Sequence, residues 1–267
     1  MVNKVHTMRG RVVKVEGAKG NDPVVTAEGG LVVAHAVAQH LRLWSDARHE
    51  LPERKDPTQG YETVAVVGSL VHGLLSGGCG FSATEPMRGD RPLLKALGLE
   101  QAPSAETVEE VVKYLALESG GQEALGRLIH RFVRRSIKLS KHRDIRSCEG
   151  FVPLWVDGSL LEICGKKFDS VKVIEEKRGQ LCVGGFLGPW LTAIDFALEG
   201  EKEETLGRIL LESALREVVG SSRLKKDVLV LLDSLFGDGP TFDLVEGFRG
   251  IAGYPPRRIG VQGVAFV

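Results

Sequence analysis

The chain has 267 residues, 43% of them hydrophobic, enough to bury one large domain or two modest ones. Thirty-five basic and thirty-five acidic residues cancel, so net charge selects no partner, and a nucleic-acid argument must rest on where the charges lie. The opening MVNKVHTMRGRVVKVEG has no apolar signal core and no run approaches the roughly 18 apolar residues of a membrane span, which reads as a cytosolic protein.

Residues 1–29 read as an N-terminal arm. Within it RVVKVE (11–16) alternates as a strand does before Gly, Asn, Asp and Pro residues take over; a strand and a partly ordered arm both fit. From Gly30 the pattern becomes helical. LVVAHAVAQHLRLW (31–44) and TVAVVGSLVHGLL (63–75) are apolar on more than one face, as helices buried among helices are, and the polar loop ELPERKDPTQG (50–60) separates them. In PLLKALGLEQAPSAETVEEVVKYLALES (92–119), Pro103 and Ser104 punctuate the pattern, and Thr107 with Glu110 has the T-x-x-E spacing of a capping box opening a helix. Residues 30–119 are therefore expected to be all-helical. Their histidines, His35, His40 and His72, lie in apolar surroundings without ligand spacing and read as packing residues. The four cysteines, Cys79, Cys148, Cys164 and Cys182, form no C-x-x-C pair, which argues for reduced thiols rather than zinc or disulfides.

EALGRLIHRFVRRSIKLSKHRDIR (123–146) differs in charge. Leu125, Leu128, Ile129 and Phe132 form an apolar stripe, and Arg127, Arg131, Arg134 and Lys138 fall at offsets of four, seven and eleven on the other face. Over 125–147, eight cations (Arg127, Arg131, Arg134, Arg135, Lys138, Lys141, Arg143 and Arg146) stand against one Asp, a net charge of +7. A solvated helix face would look like this. So would a surface that neutralises nucleic-acid phosphates and releases their counterions. Residues 120–150 thus read as a basic helix and linker.

From Phe151 the period shifts to that of strands. FVPLWV (151–156), SLLEICG (159–165), QLCVGGF (180–186) and PWLTAIDFAL (189–198) precede EKEETLGRILLESALREVV (201–219), an amphipathic helix with acids in its first turn. DVLVLLD (227–233) has the apolar run of a strand buried on both faces. TFDLVEGFRG (241–250) reads as a short helix and GVAFV (263–267) as a last strand, so 151–267 is an α/β region with a mixed sheet.

Two aspartates hold equivalent places there. Asp157 closes FVPLWV and Asp233 closes VLVLL, each followed by a small residue, Gly158 and Ser234. A chain that turns at such a point projects its carboxylate at the C-terminal edge of the sheet, where open α/β sheets bind ligands. On neighbouring strands the two anions repel unless a divalent cation lies between them, and oxygen-only ligands select Mg2+ or Mn2+ over zinc. Such ions suit in-line displacement at phosphorus. The competing reading makes each Asp a turn former bonded to its own backbone. GGCG and VGGFLG fit no nucleotide-binding glycine spacing, which leaves a small-molecule α/β enzyme without support.

Longer segments carry a family likeness. GYETVAVVGSLVHGLLSGGCGFSATEPMRGDRPLLKALGLEQAPSAETV (60–108) resembles the helical N-terminal region of insertion-sequence transposases of the DDE class, through its L-x-G-G, D-x-x-L-x-x-x-L-G and P-S-x-x-T elements. LWVDGSLLEICGKK (154–167) resembles their first-aspartate strand, and LLDSLFGDGP (231–240) their second-aspartate strand and turn.

The resemblance implies an α-helical N-terminal region followed by an RNase H-like core, with Asp157 and Asp233 on adjacent strands as catalytic residues and ligands of Mg2+ or Mn2+. It implies double-stranded DNA as partner, at element ends and target, in the prokaryotic nucleoid, with water as the cutting nucleophile and a freed 3′ hydroxyl joined to a target phosphate. The basic segment would lie along DNA. The family's third acid is a glutamate on a helix beyond the strand that GVAFV would form, and the sequence stops at Val267. The expectation is therefore a core incomplete at its C-terminus, catalytically incomplete, with an uncovered apolar sheet face that self-associates. A DNA-binding or regulatory transposase fragment without catalysis is the alternative. Glu162, Asp195, Glu199 and Asp238 are weak substitutes for the missing acid: Glu162 alternates away from Asp157 on an extended chain, and Asp238 suits ordering of the GDGP turn.

Overall fold

The computed structural model describes residues 2–6, 12–16, 28–54, 60–117, 120–140, 151–162, 172–174, 177–197, 201–219, 228–232, 235–236 and 238–251. Asp233, Lys141, Arg143, Arg146, Glu199, Cys148, Cys164 and the expected strand GVAFV lie outside the described residues. The chain divides into two compact units, Met1–Leu128 and Ile129–Val267.

In the first unit β1 (Val2–His6) pairs antiparallel with β2 (Val12–Glu16), Val2 opposite Glu16 and His6 opposite Val12, so the alternating segment is one strand of a hairpin. Helices follow: α1 (Gly29–His40), α2 (Leu43–Glu50), α3 (Thr63–Leu75), a 3₁₀ segment (Gly80–Gly89), α4 (Arg91–Leu97) and α5 (Ala105–Leu117). Val64, Val66, Val108, Val111 and Leu115 build one core cluster, and Leu31, Met87, Leu93, Leu94 and Leu97 another.

The family-like elements of this unit are helix punctuation. In D-x-x-L-x-x-x-L-G, Asp90 Oδ1 accepts from the Leu93 amide at 2.9 Å and caps α4, Leu93 and Leu97 are buried, and Gly98 ends the helix at φ +72°. In P-S-x-x-T, Ser104 Oγ accepts from the Thr107 amide at 3.3 Å. α5 thus begins at Ala105, a turn before the start that the T-x-x-E spacing suggested. Thr107 lies inside the helix, and Glu110, rather than closing a capping box, pairs with Arg54 at 2.7 Å. Ser104 wins because it precedes the first orphan amide that needs an acceptor. In L-x-G-G, Gly77 has φ +89°, and a side chain on Gly78 would strike the Ala83 backbone, as would one on Gly73.

The helix α6 (Gly121–Leu139) is shared by the division. Ala124 and Leu128 join the core of the first unit, whereas Val133 and Ile137 join that of the second. Among the described residues no single helix is long and apolar enough to cross a membrane.

The second unit is built on a mixed five-stranded sheet: β3 (Val152–Glu162), β4 (Lys172–Ile174), β5 (Lys177–Leu187), β6 (Trp190–Phe196) and β7 (Val228–Leu231). β5 pairs antiparallel with β3 on one edge and with β4 and β6 on the other; β7 pairs with β3 in parallel. A parallel neighbour requires a crossover, and α7 (Glu203–Ser213), continued by a π-helical segment (Ala214–Val219), lies between β6 and β7 in the chain. α8 (Gly239–Ile251) follows β7. Val152, Leu154, Val156, Leu181, Val183 and Leu187 turn one face of the sheet to the core, against Leu206, Leu210, Leu211 and Leu215. The architecture is thus a helical region followed by an α/β region with a mixed sheet, as the periodicities required.

Two local expectations change. FVPLWV and the SLLE of SLLEICG are joined in one continuous strand, β3, with no turn at Asp157-Gly158: Asp157 faces Gly184 and Gly158 faces Val183 across the β5 ladder. Paired backbone groups on a central strand outweigh the turn preference of Asp-Gly. β7 is not buried on both faces either: Leu229 is 36% exposed and Val228, Val230 and Leu231 are half-buried. Among the described residues it ends the strand order.

Candidate functional site

Side chains alternate along a strand, so β3 divides its residues between two environments. Val152, Leu154, Val156 and Gly158 share the core face. Trp155, Asp157, Ser159 and Leu161 share the other, where Asp157 is exposed. Trp155 stacks on Phe186, its partner on β5, with ring centroids 5.8 Å apart. Opposite Asp157 is Gly184, and Gly184 pairs on its far side with Ile194. The space that a side chain on Gly184 would need is taken by the Phe186 ring, so the carboxylate is flanked on this side by an aromatic edge. Leu161, Ile194, Phe196 and Leu229 surround this face and are each at least 36% exposed. Asp157 therefore sits in an apolar, solvent-facing surface rather than at a turn.

The parallel pairing sets the second aspartate's sequence position in relation to the first. Val152 pairs with Val228 and Trp155 with Leu231. Asp157 follows Trp155 by two residues, and Asp233 follows Leu231 by two in the sequence. Asp233 itself lies outside the described residues. Just beyond it Phe236 is 2% exposed and rests on Gly207 of α7, so closely that a side chain on Gly207 would overlap the ring. Asp238 then caps α8: its Oδ1 accepts from the Thr241 amide at 2.9 Å, and its Oδ2 accepts from Arg208 at 2.6 Å. Hydrogen bonds from Thr241 and the Arg208 charge hold its carboxyl below the usual range. Asp238 thus has a structural role, as its place in the GDGP turn suggested. Asp195 is exposed on β6 and accepts from the next amide, of Phe196, at 2.8 Å.

One neighbour of the site has no signal in the sequence. The Glu203 carboxylate, at the start of α7, lies against the Gly158 backbone where a side chain would otherwise begin. The residue after Asp157 is therefore a contact between sheet and helix, not a turn. Among the described residues no group of three or more His, Cys, Asp or Glu side chains could hold a metal ion.

The basic helix is more occupied than its composition suggests. Arg127 is exposed and donates to Glu50 at 2.9 Å. Arg131, Arg134 and Arg135 are half-buried, and each takes part in an interaction within the protein. Arg134 and Glu217 both act on His130, the first lowering and the second raising its proton affinity, while burial lowers it most. Lys138 is exposed. The apolar stripe also runs further than the first turns indicated, through Val133 and Ile137, which turns the second half of the helix toward the sheet core.

No protein-family model, no curated protein and no solved structure matches this chain. The functional reading therefore rests on the residues and their arrangement.

Proposed function

We propose that this protein is a DDE-type DNA transposase with an RNase H-like core, in which Asp157 and Asp233 together hold Mg2+ or Mn2+ for phosphoryl transfer on double-stranded DNA. The observation that carries the reading is the parallel β3–β7 pairing, in a register that leaves each aspartate two residues past the last paired position. Antiparallel β3, β5 and β6, with the three-residue β4 inserted between β3 and β5 in the chain, then a helix, then β7 beside β3 is close to the strand order that such a core requires, and it supports the reading further. The metal would activate an attacking water and stabilise the leaving oxygen. Asp157 and Asp233 would supply oxygen ligands and offset each other's repulsion through the shared cation. The net charge of +7 over residues 125–147 supports a DNA-contacting role for that segment, with Lys138, Lys141, Arg143 and Arg146 continuing beyond the cations engaged within the fold. Such a protein would work at the bacterial nucleoid.

The test separates metal from DNA. Calorimetric titration of the intact chain with Mn2+ should show binding that disappears in Asp157→Asn and in Asp233→Asn, with melting temperatures unchanged. Metal binding that survives both substitutions would overturn the assignment. DNA affinity in a native chain that binds no Mn2+, retained in both variants, would favour the DNA-binding reading without catalysis.

A further inference from the structure

Three helices of the first unit meet at a buried histidine pair that the proposed chemistry does not use. His35 on α1 is 9% exposed and His72 on α3 is 3% exposed. Each ring nitrogen has one partner, and the partners settle the tautomers. His72 Nδ1–H donates to the Gly68 carbonyl one helical turn back, because a carbonyl can only accept. His72 Nε2 is therefore an acceptor, and His35 Nδ1–H donates to it at 3.2 Å. His35 Nε2 is left to accept from Gln39 Nε2 at 2.9 Å. Trp44 of α2 covers both rings, its centroid 6.0 Å from that of His35 at 22° and 5.4 Å from that of His72 at 38°.

We propose that this α1–α3 contact is a two-step acid sensor: His35 accepts one proton with the helices docked, and a second proton, on His72, separates them. A proton on His35 Nε2 meets a partner that can adapt, since Gln39 need only turn its amide to offer Oε1 in place of Nε2. His72 has no such outlet. Its Nδ1 already carries a proton, and a proton on Nε2 would point at His35 Nδ1–H in a buried site, between two cations. Burial lowers the proton affinity of both rings, and the charge of His35 lowers that of His72 further, against the Gly68 bond.

The charge that acts on His72 is that of His35. On α2, Asp46 is buried and takes part in an interaction within the protein; His40, at the end of α1, is exposed, as are Arg91 and Lys95 on α4, which packs on α1. Against α3, the 3₁₀ segment presents Glu85 and Arg88, which pair at 3.2 Å. From α5, Glu109 pairs with Lys113 at 2.6 Å and Glu110 with Arg54 at 2.7 Å.

The experiment is an imidazole nitrogen NMR titration of the full chain from about pH 8 to about pH 4, with amide exchange of α1 followed in parallel. At the upper limit both rings should be neutral and carry their proton on Nδ1. His35 should become doubly protonated first, with α1 still protected. Below that step the protection factors of α1 should fall about tenfold per pH unit, as one proton on His72 drives opening. Gln39→Ala should move the His35 step to lower pH. His72→Phe should leave α1 protection flat across the second step; if that variant does not fold, the order of titration and the Gln39→Ala shift decide alone. Protonation of His72 first, loss of α1 protection together with the His35 step, or an unmoved His35 step in Gln39→Ala would each overturn the proposal.

Discussion

Asp157 is exposed on an extended strand, so its side chain carries little stability. Asp157→Ala should change the unfolding free energy by no more than about 0.5 kcal/mol, as surface substitutions do, and denaturant melts check this. Gly207 is the opposite case. It is buried on α7, and the Phe236 ring occupies the space that a methyl group would need. Gly207→Ala should cost about 1–3 kcal/mol by overpacking, read as a lower denaturant midpoint at unchanged slope. If Asp233 is a metal ligand, as proposed, the same variant should also weaken Mn2+ binding, because Phe236 follows it closely in the chain. Arg127→Ala tests whether a cation on the basic helix serves the fold or DNA. Its partner Glu50 is only 11% exposed, so the change should cost about 1 kcal/mol or more and, if the segment contacts DNA as proposed, leave DNA affinity nearly unchanged, in contrast to Lys138→Ala.

At the scale of elements, the motifs with the strongest family likeness turn out to begin and end helices. Ser104 caps α5, Asp90 caps α4 and Gly98 ends it in the left-handed region. Ser104→Ala should therefore destabilise the first unit by about 1 kcal/mol, whereas Thr107→Ala should do less, because the hydroxyl of Ser104 is the one that accepts the orphan amide. Thermal melts of the two variants side by side make the comparison. Caps of this kind are legible in sequence, since the residue types and spacings are local. α5 begins one turn before the T-x-x-E spacing indicates because the overlapping S-x-x-T supplies the cap; the Thr84 hydroxyl, which donates to the Pro103 carbonyl at 2.9 Å, fixes the chain before Ser104. β3 was split in two for a related reason. Asp-Gly is a strong turn signal until a neighbouring strand supplies hydrogen bonds on both sides of it, and that neighbour is distant in the chain.

The molecule as a whole answers to acid in two ranges. His35, His72 and His130 are held below their ordinary value of 6.5, chiefly by burial. A histidine kept neutral by the fold contributes stability that is whole above the unfolded value and is lost as pH falls from there toward the folded one. Asp238 and Glu85 are shifted down by hydrogen bonds and arginines, so their contribution is lost in a more acidic range, below the ordinary carboxylate values. Melting temperature should therefore hold above about pH 6.5, decline through the histidine range and fall again below about pH 4; a flat profile between those two points would remove the histidine contribution. The apolar face around Asp157, with Leu161, Ile194, Phe196 and Leu229 exposed, also favours self-association, and sedimentation of Ile194→Lys beside the native chain should show a shift toward monomer.

The sequence by itself determined the class of architecture, because hydrophobic period is local: 3.6-residue repeats over 30–139 became helices, and period-two or continuous apolar runs after Phe151 became strands. It also singled out Asp157, and the charge surplus of residues 125–147, since composition and position along a strand need no partner to be seen. Tertiary structure alone decided which strands are neighbours, which face of β3 is open, and which cations on α6 are engaged within the fold. It alone joined His35 to His72 across 37 residues of chain and laid Glu203 against Gly158. Those facts depend on contacts between segments far apart in sequence, and such contacts follow from the burial of whole faces rather than from any local pattern.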